Sequence, residues 1–260
     1  MNVRFLSLAS GSSGNCYFIG TSEYGILIDA GIGSRTIRKK LKEIGLEMNH
    51  IHAVFVTHDH YDHIKSVATL GEIYHLPIYA TEKVHWGIAF NKKITEKLSP
   101  ANKRVIKSRE TVKIRDIQVT PFPLPHDATD NSGFVIEIGE MRLTLATDLG
   151  APTDDLRRFV SDSDYLVVEA NYDKEMLKNG RYPEFLKMRV SGANGHLSNT
   201  DTANLLSEHA TSRLKQVCLC HLSKENNLPQ LAVDTVSSKL PVDAKVVALP
   251  RNESYLIEEL

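Results

Sequence analysis

Short apolar runs alternate along the chain with stretches in which apolar residues recur at helical spacing. Runs rich in β-branched residues are typical of strands. They predict strands at Val3–Leu8, Cys16–Ile19, Gly25–Asp29, Ala53–Thr57, Ile117–Phe122, Gly133–Ile138, Met141–Thr147, Tyr165–Glu169, Val217–Leu222 and Lys245–Leu249. Helical spacing predicts helices at Ser34–Leu46, His63–Tyr74, Glu82–Phe90, Ser99–Asn102, Thr153–Val160 and Asp201–Thr211. In the first helix Ile37, Leu41 and Ile44 share a face, with Ser34 as the expected N-cap. The alternation predicts a mixed α/β domain.

Five of the apolar runs end in an acidic residue or a histidine. The residues at these ends are Asp29, His58, Asp148, Glu169 and His221. Open α/β sheets bind ligands beyond the carboxyl ends of their strands. We therefore expect these five side chains to be collected along one edge. Two of the ends lie in the first quarter of the chain and three beyond its middle, which indicates two β-rich halves.

The composition allows one sizeable core and gives no sign of a polyanionic partner. The chain has 260 residues, 42% of them hydrophobic, and a net charge of −1 from 31 Lys and Arg against 32 Asp and Glu. Proteins that bind nucleic acid without sequence preference usually carry a basic surplus. Bound metal ions would add positive charge that this count omits. Net charge therefore neither supports nor excludes a polyanionic substrate.

Apolar patterning and cysteine content indicate a cytoplasmic protein without a membrane partner. No stretch approaches the roughly 20 apolar residues that span a bilayer. The N-terminal apolar run is interrupted by Gly and Ser, which predicts a first strand rather than a signal peptide. The three cysteines, Cys16, Cys218 and Cys220, cannot form a disulfide framework. Cys218 and Cys220 alternate with apolar residues beside His221, and this pattern favours core packing over a thiolate site.

The sharpest local signal is Thr57–His63, called the histidine segment below. It places three imidazoles and two carboxylates within six residues, and such groups are not buried without partners because each would lose its hydration. Imidazole plus carboxylate is a ligand mix for Zn, Mn or Fe. His58 and His60 are two residues apart, so an extended backbone points both the same way. Asp62 and His63 follow at the turn into a helix and can face a second ion.

The motif H-x-H-x-D-H after a strand, with Asp29 ending an earlier strand, resembles the metallo-β-lactamase superfamily. The later motifs of that superfamily follow in order, with His126 in LPHDA, Asp148 in ATDLG and His221 in CHLS. The resemblance implies an α/β (α+β) fold, a four-layer αββα sandwich, as a single domain over residues 1–260. About seventy residues separate Asp148 from His221, so the cap domain that β-CASP nucleases insert there is not expected.

The resemblance also implies two divalent ions, Zn, Mn or Fe. The residues that would hold them are His58, His60 and His126 for one ion, Asp62, His63 and His221 for the other, and Asp148 as a bridge. Asp29 would orient the histidine segment. Two ions sharing a hydroxide would supply the nucleophile and clamp the oxygens of an in-line displacement, and Asp62 would orient that nucleophile. Taken alone, the lone histidines can be structural, and Asp29 and Asp148 can form turns.

Glu169 in VVEANYD and His196 in GANGHLSN resemble a pair found in tRNA 3′-processing endonucleases of this fold. There a glutamate pairs with the histidine of a similar Gly-His segment, and that histidine protonates the leaving oxygen. The resemblance implies phosphodiester cleavage, in which an alkoxide must leave, with both residues catalytic. The alternative is a polar loop before a helix that starts at Ser198 or Asn199. Asp148 argues against β-lactamase activity, since true β-lactamases of the superfamily lack a bridging aspartate.

The segments LASGSSGNCY, GHLSN and HLSKENN together resemble the YycJ/WalJ (VicX) subfamily over essentially the whole chain. That resemblance implies a metal-dependent 5′→3′ exonuclease used in DNA repair, with DNA rather than RNA as its partner. Three alternatives stay open: a small-molecule esterase or phosphodiesterase of the same fold, a tRNA-processing-like ribonuclease, and a non-catalytic regulatory protein that binds metal. The oligomeric state is not determined by the sequence.

Candidate substrate contacts rest on weaker signals. Ser13 and Asn15 lie in a Gly-rich segment that either presents N–H groups to a phosphate or forms a tight turn between strands. Lys224 and Asn226 either touch a phosphate oxygen or lie in a solvated loop. A basic run before the Gly-His segment is either a nucleic-acid track or a solvated face; it contains Arg181, Lys187 and Arg189. The remaining histidines are expected to be non-ligands on turns or helix faces: His50, His52, His75, His85 and His209.

Overall fold

A computed structural model describes residues 2–260. The strands are β1 Arg4–Ala9, β2 Cys16–Gly20, β3 Gly25–Ile28, β4 Ile51–Phe55, β5 Ile78–Ala80, β6 Lys103–Val105, β7 Val112–Ile114, β8 Ile117–Pro123, β9 Ser132–Ile138, β10 Met141–Ala146, β11 Tyr165–Glu169, β12 Gln216–Cys220, β13 Lys245–Ala248 and β14 Tyr255–Ile257. The helices are α1 Ser34–Glu43, α2 Tyr61–Ile64, α3 Val67–Tyr74, α4 Glu82–Phe90, α5 Asp154–Asp162, α6 Lys174–Asn179, α7 Glu184–Ser191, α8 Asn199–His209 and α9 Pro229–Ser237, with 3₁₀ turns at Met48–His50 and Pro100–Asn102. Within residues 2–260 no helix has the length and apolar character needed to cross a bilayer.

The first compact unit runs to Pro121 and adds Ala128–Asp130 and Pro250–Leu260. Seven of its strands form one sheet in the order β14-β1-β2-β3-β4-β5-β6. The β3–β4, β4–β5 and β5–β6 pairs are parallel, whereas β14, β1, β2 and β3 pair antiparallel. Helices α1, α3 and α4 bury apolar stripes in the core of this unit, for example through Ile37, Val67 and Val84. The carboxyl ends of β3 and β4 therefore lie side by side.

The second compact unit comprises Phe122–Asp127 and Asn131–Leu249. Its strands β9 to β13 neighbour one another in chain order. The β9–β10 pair is antiparallel, and β10, β11, β12 and β13 are parallel. Apolar residues of α5, α8 and α9, including Leu156, Leu206 and Val236, form the core with the strands. The carboxyl ends of β10, β11 and β12 consequently meet at one edge. The sequence-based expectation of one domain without an inserted cap domain stays a prediction.

All ten predicted strands are present within a few residues of their expected bounds. Three local predictions were wrong. Gly33, not Ser34, is the N-cap of α1. The helix predicted at His63–Tyr74 is two helices, since Ser66 leaves the helical pattern and its N–H donates to Ala30 O. His52 lies on β4 rather than on a turn or helix face. Four short strands and three helices were missed: β5, β6, β7, β14, α6, α7 and α9.

Candidate metal centre

Three residues that follow strand ends adopt left-handed backbone conformation. Asp29, Asp148 and His221 have φ of 59°, 56° and 54°. This region is unfavourable for side chains with a Cβ and persists where the surroundings stabilise it. Asn131 Nδ2 donates to Asp148 O at 2.6 Å, and Asn171 Nδ2 donates to His221 O at 2.8 Å. The chain thus reverses sharply beyond the strands β3, β10 and β12 and presents these side chains at the sheet edges.

In the first unit, Asp29 organises the histidine segment. Its carboxylate is fully buried and accepts from Thr57 N at 2.8 Å, from Thr57 Oγ1 and from His63 Nδ1 at 2.6 Å. Burial raises the pKa of Asp29, and the facing His63 and Thr57 oppose that rise without cancelling it. These contacts are the arrangement expected of a carboxylate that orients metal-binding histidines, which is the role predicted for Asp29.

The rings of the histidine segment cluster together. His58 lies 4.7 Å from His60 and 4.1 Å from His63 between ring centroids. Asp62 Oδ2 is 3.7 Å from His63 Nε2. Asn15, from the Gly-rich turn, is buried and donates from Nδ2 to His63 Nε2 at 2.9 Å. The predicted ligands of the first unit therefore converge, with Asn15 fixing His63 from the opposite side to Asp29.

Gly31 carries the closest backbone approach to this cluster. A Cβ there would lie 1.6 Å from Asp62 O and 2.7 Å from Asn15 N, and both are main-chain atoms that cannot move aside. Gly31→Ala is expected to lower the free energy of unfolding by about 3 kcal/mol or more, the upper range for overpacking. Urea unfolding followed by circular dichroism measures the loss.

The neighbouring Gly33→Ala is the matched control for that substitution. Its Cβ would meet nothing closer than Thr36 Oγ1 at 3.8 Å, so only the exchange of one N-cap residue is expected, at most about 1 kcal/mol. Equal stabilities of the two variants would show that the turn between β3 and α1 is not held against Asp62.

In the second unit, Asp148 lies among three histidines. Its Oδ1 is 3.4 Å from His221 Nδ1, 3.6 Å from His196 Nδ1 and 3.8 Å from His126 Nε2. Thr147 Oγ1 donates to the other carboxylate oxygen at 2.8 Å. Asp148 is only 2% exposed. A buried carboxylate this close to three imidazoles gathers, in one cluster, the kinds of side chain that hold divalent ions.

Glu169 is shared by two histidines. Its Oε1 accepts from His196 Nδ1 at 2.8 Å and from His221 Nδ1 at 3.0 Å, and its Oε2 accepts from the backbone N–H groups of Leu149 and Leu197. Burial raises the pKa of Glu169, but His196 and the hydrogen bonds outweigh it and bring the pKa below its usual value. Burial lowers the pKa of His196, and the charge of Glu169 reverses this to a net rise. Both shifts favour a carboxylate beside a protonated imidazole.

The donor set fits divalent metal ions. Four predicted ligand histidines each have Nδ1 tied to a protein group: His58 to Thr57 Oγ1 at 2.9 Å, His63 to Asp29, His126 to Gly195 O at 3.0 Å and His221 to Glu169. Such a partner holds the proton on Nδ1 and directs the Nε2 lone pair of His58, His126 and His221 toward a metal, whereas the Nε2 of His63 accepts from Asn15 in this structure. Ligand atoms of Asp148, Glu169, His196 and His221 also all lie within 4.8 Å of one another.

Several predicted residues are placed apart from these clusters. Ser13 is exposed, and its Oγ donates to Asn252 at 3.4 Å. Lys224 is exposed, whereas Asn226 is 1% exposed. Their roles toward a substrate, like that of Asn15, stay predictions. Cys218 and Cys220 are buried, which confirms core packing, and burial raises the pKa of the Cys218 thiol to about 12.

Sequence reasoning assigned no role to Asn131, Asn171 or Thr57, although each holds part of the clusters. Asn171 follows Glu169 by two residues and donates to His221 O. Thr57 Oγ1 donates to Asp29 and accepts from His58. The signal was available for Thr57 and Asn171, since both sit at strand ends next to predicted ligands. Asn131 precedes β9 and carried no such signal.

Comparisons of sequence and of structure both relate this chain to proteins of the beta-lactamase superfamily. The sequence profile of the beta-lactamase superfamily domain matches residues 24–221. Exodeoxyribonuclease YycJ of Bacillus anthracis is 36% identical over 92% of this chain and 90% of its own length. Exodeoxyribonuclease WalJ of Streptococcus pneumoniae is 35% identical over 92% of this chain and 89% of its own. The metallo-β-lactamase fold protein YhfI of Bacillus subtilis superposes with a TM-score of 0.73 at 15% identity, over 99% of this chain and all of that one. The predicted fold class is thereby confirmed.

Proposed function

Since this chain belongs to the beta-lactamase superfamily and, within it, to the family of the exodeoxyribonucleases YycJ and WalJ, we propose that it is a metal-dependent exonuclease that hydrolyses phosphodiester bonds in DNA. The names of its relatives support DNA over RNA. Attack in the 5′→3′ direction, a role in repair and a cytoplasmic location are the finer parts of the proposal.

The observation that carries the proposal is the Glu169–His196 pair next to Asp148 and His221. His196 Nδ1 donates to Glu169, so its Nε2 is the ring atom available to substrate, and the side chain is 18% exposed. A phosphodiester releases an alkoxide, which needs a proton as it leaves. A His⁺ held by a buried carboxylate supplies that proton, and the partner keeps the ring oriented through turnover. β-Lactam hydrolysis is not favoured, because true β-lactamases of the superfamily lack a bridging aspartate, which is the role proposed here for Asp148.

Members of this superfamily hydrolyse with divalent metal ions, and the donor set described above fits such ions. We propose two ions of Zn, Mn or Fe, held by the residues that the resemblance names. When bound, they would lower the pKa of water and neutralise charge on the phosphate. Asp62 would then orient the attacking water, while Asp29, Thr57 and Asn15 hold the histidine segment in position.

The proposal predicts metal-dependent release of mononucleotides from one end of a DNA strand. Purified protein treated with a chelator is expected to lose cleavage of end-labelled DNA and to regain it with Mn²⁺ or Zn²⁺, because the ions carry the water activation. Products from 5′- and 3′-labelled single- and double-stranded DNA give the polarity. Asp62→Asn is expected to abolish release. Products of internal cleavage, or equal cleavage of RNA, would contradict the exonuclease assignment.

A small-molecule ester or phosphodiester is the second candidate substrate, and a net charge of −1 is compatible with it. Turnover of a cyclic nucleotide or thioester without cleavage of any polynucleotide would establish it. Both candidates need the same ions, so the choice between them rests on substrate and not on metal dependence.

A further inference from the structure

Helix α4 carries apolar side chains on two opposite faces. Val84 and Ile88 face the core and are 0% and 3% exposed. Trp86 and Phe90, four residues apart, point away from it and are 59% and 67% exposed. Their ring centroids are 4.7 Å apart. We call this pair the aromatic platform.

Exposing two aromatic side chains to water is unfavourable, and packing against the core does not account for their position. Large apolar side chains that cluster on a surface often mark a contact site, whereas single exposed ones are ordinary. Other residues anchor α4, because Val84 and Ile88 are buried in the core and the N-cap residue Thr81 accepts a hydrogen bond from Val84 N through its Oγ1. The aromatic platform is thus dispensable for holding α4 in place.

Helix α4 is joined to the histidine segment. A Cβ at Gly87 would lie 2.1 Å from Asp59 Oδ2, so the helix packs directly against the Asp59 side chain of the histidine segment. Asn91 Nδ2, one residue past the helix, donates to Asp59 O at 3.1 Å. Lys93 Nζ lies 5.2 Å from the ring centre of Tyr61. A polymer lying on the aromatic platform would therefore be adjacent to the predicted ligands of this unit.

The surroundings of the platform are basic. Residues 82–97 contain four lysines and two glutamates, against a net charge of −1 for the whole chain. All four lysines are exposed: Lys83, Lys92, Lys93 and Lys97. Phe90 also lines a cavity of about 270 Å³ together with Ile94, Lys97 and Lys103. Exposed aromatic rings within a cationic surface are the combination that binds single-stranded nucleic acid, through base stacking and phosphate contacts.

We propose that the aromatic platform of Trp86 and Phe90 stacks bases of single-stranded DNA and guides the strand toward the histidine segment. This inference rests on the proposed function for its substrate class. Stacking needs the open face of a base, so a single strand is the occupant and a closed duplex is not. Sequence preference is not expected, because every base offers such a face.

Trp86 is the sole tryptophan of the chain, which gives a direct test. A short phosphorothioate oligothymidylate, chosen to resist cleavage, is expected to quench its fluorescence. In anisotropy titrations Trp86→Ala is expected to raise the Kd for labelled oligonucleotide about ten-fold, equal to about 1.4 kcal/mol and within the range for one stacked base. Trp86→Phe should retain most of the affinity because it keeps an aromatic face.

Ile73→Ala is the matched control, since Ile73 is also exposed, at 60%, on α3, the preceding helix in the chain. It is expected to leave the Kd unchanged. Unaltered emission together with an unaltered Kd for Trp86→Ala would overturn the proposal, as would equal binding of a covalently closed duplex. A concentration-dependent dimer that Trp86→Ala converts to monomer, with the Kd unchanged, would assign the platform to a second copy instead.

The two proposals fail separately. Hydrolysis of bis(p-nitrophenyl) phosphate requires the ions and not the platform, so Trp86→Ala should leave it intact. Quenching without any diester hydrolysis would refute the nuclease and leave the platform standing. Hydrolysis of DNA with no effect of Trp86→Ala on oligonucleotide binding would refute the platform alone.

Discussion

Replacing His196 with alanine is expected to lower kcat on DNA by about 10²- to 10⁴-fold, the usual contribution of a general acid, without changing the metal content. His196 Nδ1 is committed to Glu169 at 2.8 Å, which leaves Nε2–H to protonate the departing oxygen. Steady-state kinetics on end-labelled DNA measures the loss, and elemental analysis counts the ions. The substitution removes a proton donor and leaves Asp148 and His221 in place.

The leaving group separates a proton donor from a structural histidine. Nitrophenolate leaves without protonation, so His196→Ala should be far less damaging on bis(p-nitrophenyl) phosphate than on DNA. His209→Ala is the matched control, because His209 lies at the end of α8 away from Glu169. Equal losses on both substrates would contradict the assignment. Loss of one ion in the variant would show that His196 is a ligand.

Much of the site could be predicted from strand ends alone. β3 and β4 are parallel neighbours, as are β10, β11 and β12, so residues just beyond them must meet at a sheet edge. The contacts of Asp29 with Thr57, and of Glu169 with His221, follow from that adjacency. Apolar runs that end in an acid or a histidine were therefore sufficient to group these residues within each unit.

The finer geometry was beyond sequence patterns, for a physical reason. The left-handed backbone at Asp148 is accompanied by a hydrogen bond from the side-chain amide of Asn131, which lies 17 residues earlier and carried no sequence signal. Periodicity reports only which face of an element is buried. Helix α7 shows the same limit. It has no buried residue and carries Phe185 at 73% exposure, so it offers no apolar stripe to read.

Asp148→Asn is expected to weaken metal binding at least about 100-fold, beyond the usual loss from an outer residue that merely orients a ligand. It is also expected to lower kcat at least about 10³-fold, because poorly held ions forfeit several kcal/mol of charge stabilisation. The reason is electrostatic, since Asn preserves the size of a side chain whose Oδ1 lies 3.4 to 3.8 Å from three imidazoles and removes only its charge. Titration calorimetry with Zn²⁺ or Mn²⁺ and kinetics on DNA measure both effects.

Asp164→Asn controls for the loss of a buried, ion-paired carboxylate elsewhere in the same unit. Asp164 is 7% exposed and pairs with Arg213 at 2.7 Å, so its substitution should lower the free energy of unfolding while metal affinity stays at the wild-type value. In Asp148→Asn the main effect should instead be on metal affinity, because the Oδ1 of this carboxylate lies within 3.8 Å of three imidazoles. Wild-type metal affinity in Asp148→Asn would mean that the carboxylate orients the histidines without bridging the ions, and the dinuclear proposal would then be untenable.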